Sequence, residues 1–421
     1  MKKLIYVTAL VTLLVTTVTA QQFDLSAELR PRYENKHGYK TLIPTNADGA
    51  NFVSQRTRLN FGYTNERIKL FVAMQNVRVW GDVSTLSSDD NATALHEAWA
   101  EVLLSDKISL KLGRQEIVYD DHRIFGSVGW AQQARSHDAF IFKFKPNKNN
   151  RVDLGLALNA DVQGGLDVLY SNAAGYKSFQ YAWYHGTFDK FGLSFLLLNT
   201  GIEYEDSNLD QTIDYMQTIG PRLTYKSGKF NANIAFYFQS GKTVNRDVSS
   251  SYYTGNLAYK ISDDFSTGVG LEYLSGKDMD DASSDVNSFA PLFGTNHKFN
   301  GWMDYFYVGN HGGSVGLTDI NFTLAYKKDK FSAKLIPHFF SAAADVFDGG
   351  TKMDANLGTE IDFTAGYKIA KDITLSAGYS KMYATDTMEI LKNGDKDENN
   401  SWGWIMFTFK PKLFSYKAPT Q

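Results

Sequence analysis

The chain has 421 residues, with 43 Lys+Arg against 46 Asp+Glu, no Cys, only 8 Pro, and aromatics at 14%. The lack of Cys excludes a disulfide framework, a thiolate metal site and a lipid-attachment cysteine. The near balance of charge gives no basis for nucleic-acid binding. Proline is far below its usual share of about 5%, while 24 Tyr and 29 Phe supply strand formers.

In chain order, Lys2 and Lys3 come first, then an apolar stretch from Leu4 to Val18 diluted by threonines, then the small residues Val18-Thr19-Ala20. This pattern predicts a secretory signal over residues 1–20, removed after Ala20. Without Lys2 and Lys3 the mature chain carries 41 basic and 46 acidic residues, a net charge of −5. No later segment has the unbroken apolar run of a membrane helix.

The mature chain alternates with period two instead. In residues 23–33, Phe23, Leu25, Ala27 and Leu29 oppose Asp24, Ser26, Glu28, Arg30 and Arg32. In 56–63, Thr57, Leu59, Phe61 and Tyr63 oppose Arg56, Arg58 and Asn60, and in 151–159, Val152, Leu154, Leu156 and Leu158 oppose Asp153, Gly155, Ala157 and Asn159. Further apolar sets are Phe230–Phe238, Ile320–Tyr326, Leu357–Tyr367 and Ile405–Phe409, each at every second position. About eighteen such strands fit, each of roughly the ten residues that a tilted membrane strand needs.

The connections alternate in length. Tight polar turns fall at 65–66, 105–106, 147–150, 189–190, 227–228, 262–264, 327–329 and 371–372. Long polar or glycine-rich stretches fall at 37–51, 81–94, 115–136, 161–177, 275–316 and 341–355. Tyr33, Tyr63, Tyr225, Tyr259, Tyr273, Tyr326, Tyr367 and Tyr379 sit near strand ends, where interfacial girdles belong. Together these features predict an all-β fold: a transmembrane, antiparallel, up-and-down β-barrel occupying residues 21–421 as one domain. A soluble β-sandwich or propeller shares the alternation but not the secretory signal or the long-and-short loop pattern.

Energetics set the phase. Arg56 and Arg58 turned toward lipid near the midplane would cost about 2–4 kcal/mol each; turned inward they line an aqueous lumen. The same parity sends Glu28, Arg30, Glu101, Lys143 and Arg222 inward. Such a ladder of Arg and Glu has two compatible readings, a salt-bridge lattice bracing the wall and a charged constriction selecting solutes.

Two blocks carry a resemblance. The first runs Gly113-Arg114-Gln115, Tyr119, Asp120, Arg123, Gly126, Trp130, Arg135 and Asp138-Ala139-Phe140; the second, from Phe289, reads FAPLFGTNHKFNGWMDYF. With RTRLNFGY from Arg56 and QNVRVWGD from Gln75, they resemble the alginate-export family of outer-membrane porins along the whole mature chain. The resemblance implies an eighteen-stranded monomeric barrel with an arginine-rich pore for an anionic polysaccharide or similar solute. Carried over by motif, Arg56, Arg58, Arg78, Arg114, Arg123, Arg135, Glu97 and Asp138 become constriction candidates. Arg78 and Arg114 share parity with lipid-facing Met74 and Leu112, so they reach the lumen only past a bulge or beyond the membrane edge.

Catalytic and cofactor signatures are absent. The histidines complete no nucleophile motif, none has helical zinc-ligand spacing, and no P-loop or dinucleotide fingerprint occurs. His297 reads as a loop brace. The acidic loop 277–285, with Asp278, Asp280, Asp281 and Asp285, lacks the ligand pattern of a calcium loop and reads as solvated. The expected partners are outer-membrane lipid, an anionic or sugar-like solute and, on export, a periplasmic protein. The competing class is a barrel enzyme or surface-binding barrel acting through its long loops.

Overall fold

The computed structural model describes residues 21–89, 92–165, 168–170, 175–306 and 315–418; the expected signal, 1–20, lies outside them. Eighteen strands run in chain order: β1 (Gln22–His37), β2 (Ala50–Thr64), β3 (Ile68–Val79), β4 (Thr93–Leu103), β5 (Ile108–Gln115), β6 (His137–Asn147), β7 (Asn150–Leu158), β8 (Ser178–Phe188) and β9 (Phe191–Glu205). They continue with β10 (Gln211–Ser227), β11 (Phe230–Thr243), β12 (Arg246–Lys260), β13 (Phe265–Leu274), β14 (Leu317–Lys328), β15 (Phe331–Ser341), β16 (Asn356–Ala370), β17 (Ile373–Ala384) and β18 (Ser401–Phe409), the last resuming as Lys412–Lys417. Each pairs antiparallel with its neighbour, and β1 pairs with both β2 and β18. The sheet is therefore closed, so none of these eighteen strands presents an unpaired edge; a separate small hairpin pairs 347–348 with 351–352.

Alternation assigns the two faces as expected. Leu29, Leu59, Leu112, Leu154, Phe195, Ile234, Phe322 and Phe363 are exposed on the outside, while Glu28, Arg30, Arg56, Glu101 and Asp153 are buried inside. At the short-turn end, aromatic pairs ring the outer surface: Phe191 with Tyr225 at 4.9 Å between centroids, Phe230 with Tyr259 at 4.9 Å, and Phe265 with Tyr326 at 4.7 Å. The other end carries Tyr33 and Tyr379 and the Tyr253–Tyr273 pair.

Several local readings change. Two long-loop-end connections are short: residues 206–210 join β9 to β10, and Val244-Asn245, both at positive φ, form a two-residue hairpin turn between β11 and β12. A bulge opposite Ser341 turns Leu357 inward and buries it, against its expected lipid-facing place. A second bulge, at His96, breaks the β3–β4 register. Beyond Phe409, Lys412–Lys417 completes the last strand and sets Phe414 beside Leu25 and Tyr416 beside Phe23.

The face assignment is testable on β14. Phe322→Arg should lower unfolding stability in lipid vesicles by about 2–4 kcal/mol. Thr323→Arg, one residue along and inward, should stay within about 0.5 kcal/mol.

Candidate functional site: the lumen and two inward loops

Two connections fold into the barrel. The β5–β6 loop (116–136) and the β13–β14 loop (described over 275–306 and 315–316) meet across the lumen. Phe125 and Phe293 bridge, Gly126 N donates to Phe293 O at 2.8 Å, and Val128 N donates to Thr295 Oγ1 at 3.0 Å. Gly126 is required there, since a Cβ would stand 2.3 Å from Thr295 Oγ1. Phe125, Phe293 and the wall residues Phe179 and Tyr181 pack ring against ring.

Charged groups of the wall anchor both loops. On β1, Arg30 donates to the carbonyls of Gly129 (2.8 Å), Trp130 (3.0 Å) and Ala131 (3.2 Å) and to Gln132 Oε1. Arg32 donates to Trp130 O at 2.8 Å and Arg56 to Gln132 O at 3.3 Å. Glu28, 2.5 Å from Arg56, and Glu34, 2.9 Å from Arg32, balance the charge.

A second stretch of the wall is acidic. Asp362 and Glu360 on β16 accept from the backbone N–H groups of Trp302 (3.1 Å) and Met303 (2.8 Å). Asn300 donates to Asp319 and Glu272, and His338 lies 2.9 Å from Asp319. Gly301, at φ +79°, lies against Glu360, where any Cβ would come within 2.7 Å of the carboxylate. Thus cations hold one loop by its carbonyls and carboxylates hold the other by its amides, both charge-assisted hydrogen bonds in a water-poor setting.

These anchors revise the constriction candidates. Arg56, Arg30 and Glu28 point inward but are covered by the first loop, so they brace it and do not face open solution. Arg123 is a buried strut, 2% exposed, 3.2 Å from Glu272 and hydrogen-bonded to Asn300 at 2.9 Å. Arg135 donates to Gly294 O at 3.0 Å and ties the two loops. Arg114 and Asp138 are not in the constriction: they pair at 2.7 Å on the Ala98 and Leu112 face of the outer rim, 43% and 61% exposed. Arg78 is in register with Gln55 and bonds Asn76 on the outward parity, yet it borders the outer chamber described below.

Others do reach the lumen. Arg58 bonds Gln75 at 2.7 Å, Lys143 pairs with Glu101 at 3.1 Å, and Arg222 pairs with Asp121 of the first loop at 3.2 Å. The His96 bulge places His96 beside Glu97 and Glu116, three ligand-type groups within 4.8 Å of one another. Arg58 and Lys111 supply the facing positive charge, and the Trp99 indole donates to Glu97. The loop 277–285 is exposed, with Asp278 accepting from Asp345 N and Asp281 from Ser283 N.

Two cavities flank the loops. An inner chamber of about 640 Å³, toward the short turns, is lined by Lys298, Lys334, His122, Ser332, Thr364 and the indoles of Trp302, Trp402 and Trp404. Trp404 lies flat on the wall because Gly378 has no side chain; a Cβ there would approach the indole to 2.4 Å. Lys298 donates to Asp121 O at 2.9 Å, and burial beneath the loop lowers its pKa, Asp121 opposing the shift. Lys334 forms no ion pair among the described residues and sits 5.4 Å from the Trp302 ring. An outer chamber of about 680 Å³ is lined by Arg32, Glu34, Lys36, Tyr39 and Phe52. Burial beside Asp304 raises the Tyr39 phenol well above its ordinary pKa, keeping it a donor.

Sequence reasoning missed Lys334, Trp402, Trp404 and the acidic wall. Parity places Glu360 and Asp362 inside with the rest, but nothing in periodicity says that loop amides would meet them. The arginine anchor is testable: Arg30→Ala should free the first loop by about 1.5–3 kcal/mol. Hydrogen exchange should then rise across residues 127–135 while the strands stay protected.

Comparison with known proteins agrees with the geometry. The family model described as alginate export matches residues 21–403. Among solved structures, the chain is similar to OccAB4 of Acinetobacter baumannii (TM-score 0.63, 11% identity, covering 95% of this chain and 100% of that one). It is also similar to a BenF-like porin of Pseudomonas fluorescens (0.62, 14%, 93% and 99%) and to OpdK of Pseudomonas aeruginosa (0.59, 12%, 94% and 99%). At these identities the likeness is one of fold. A search of curated proteins finds no match. The closed eighteen-stranded barrel with its apolar outer face is an outer-membrane, multi-pass β-barrel, and the chain belongs to the alginate-export family.

Proposed function

We propose that this barrel is a passive outer-membrane channel for hydrophilic solutes that are anionic or sugar-like. The observation that carries the reading is the inner chamber, where Lys298 and Lys334 face a polar wall beside indole rings. Ammonium groups suit a carboxylate, and aromatic faces suit the apolar side of a sugar or an aromatic ring. Arg58, Lys111 and Lys143 add positive charge on the lumen wall, tempered by Glu97 and Glu101. The family description points to an anionic polysaccharide, and OpdK, a structural relative, was solved with vanillate, an anionic aromatic.

The inward loops restrict the passage to a slender chain or a small molecule. A passive pore has no direction of its own, so export and uptake are equally served. On this reading the barrel acts as a monomer without catalysis, in contact with outer-membrane lipid, and receives an exported solute from a periplasmic partner.

Purified protein in a planar bilayer should give discrete conductance steps with anion preference. Lys298→Ala with Lys334→Ala should reduce that preference without abolishing conduction. A bilayer that stays sealed with folded protein present contradicts the proposal.

A further inference from the structure

The inner and outer chambers share two lining residues, Trp130 from the first loop and His297 from the second. Their rings stack at 4.8 Å with an interplanar angle of 15°. The Arg32 guanidinium lies 4.1 Å from the Trp130 ring centroid, and Trp402 and Trp404 close in edge-on at 5.4 Å from His297 and 4.8 Å from Trp130. We infer that the Trp130–His297 stack is the gate between the two chambers, the barrier a solute displaces in crossing the barrel. The inference rests on the channel reading and adds to it the residues that set the narrowest point.

Arg32 touches both the ring and the loop backbone, but the backbone has a further anchor, Arg30, that the ring does not share. Trp130 is held by its carbonyl, through Arg30 and Arg32, and its neighbours Gly129 and Ala131 are held in the same way. His297 is oriented by Asp304, 2.8 Å from Nδ1, which Tyr39 bonds in turn. The indole can therefore swing while the loop backbone stays in place. Stacking and cation–π contacts are weaker than the charge-assisted hydrogen bonds that anchor the loop, so the side chain gives way first.

Arg32 also links the gate to the solute. It faces the outer chamber, and an anion arriving there competes with the Trp130 face for the guanidinium. Binding of an anion and release of the indole then favour each other, while a neutral solute of equal size gains no such help.

The chain contains no cysteine, which allows a single engineered thiol to report on the gate. In planar bilayers, Trp130→Ala should raise unitary conductance roughly two-fold or more as the constriction widens. Trp130→Phe should stay near wild type, as should Trp80→Ala at the exposed outer rim. Trp130→Cys should change its current when a charged, membrane-impermeant thiol reagent is added to either side. Unchanged hydrogen exchange across residues 127–135 establishes that each variant keeps its loop. A folded Trp130→Ala channel with wild-type conductance, or a Trp130→Cys channel insensitive from both sides, overturns the gate while leaving the channel reading intact. If the folded wild type does not conduct, the channel reading falls and the gate falls with it.

Discussion

A sheet of eighteen strands closed on itself encloses more space than its own side chains can fill, and its charged groups cannot turn outward into hydrocarbon. Those two facts leave a wide interior lined with charge. In this protein the charges that bond the loop backbones are sorted: arginines on β1 and β2, carboxylates on β13, β14 and β16. Backbone segments from two loops enter and present carbonyls to the first group and amides to the second. A peptide backbone carries both polarities, so one kind of loop satisfies either wall. The cost of burying these charges is met only because each has a hydrogen-bonded partner, which ties the position of the loops to the charge pattern of the wall.

The division of the interior is a consequence of that arrangement. The loops meet across the lumen through Phe125, Phe293, Gly126 and Thr295 and separate an outer from an inner chamber. The sequence blocks that resemble the alginate-export family are largely these two loops. Of the lumen-wall cations, Lys334, Lys143 and Lys111 lie outside those blocks, and Arg58 lies within RTRLNFGY.

The barrel was legible in the sequence because period two, short polar turns and strand-end tyrosines all report on a wall with two different solvents. Parity placed Glu28, Arg30, Arg56, Arg58, Glu101, Lys143 and Arg222 on the inner face, where they stand. It could not separate a charge facing water from one facing a loop, because both are inward. That is why Arg56 reads as a pore residue and is found pinning Gln132. Parity also fails where a bulge intervenes, as at His96 and Leu357. Motif carry-over failed for Arg114 and Asp138, whose own periodicity sets them outward at the rim, while Arg78, outward in register, still borders the outer chamber. The direction in which a long loop folds leaves no periodic trace. It depends on partners distant in sequence, such as Arg30 and the Gly129 carbonyl across 99 positions.

On the channel reading, the open cross-section of the barrel is set by loops and not by strand number. The most direct measurement is which neutral polyethylene glycols, graded by size, lower the channel's conductance when added to each side. Only polymers of about the size of a small saccharide should penetrate to the centre, and larger ones should leave the current unchanged. Penetration from both sides by polymers that need the full bore of an empty eighteen-stranded barrel would contradict it.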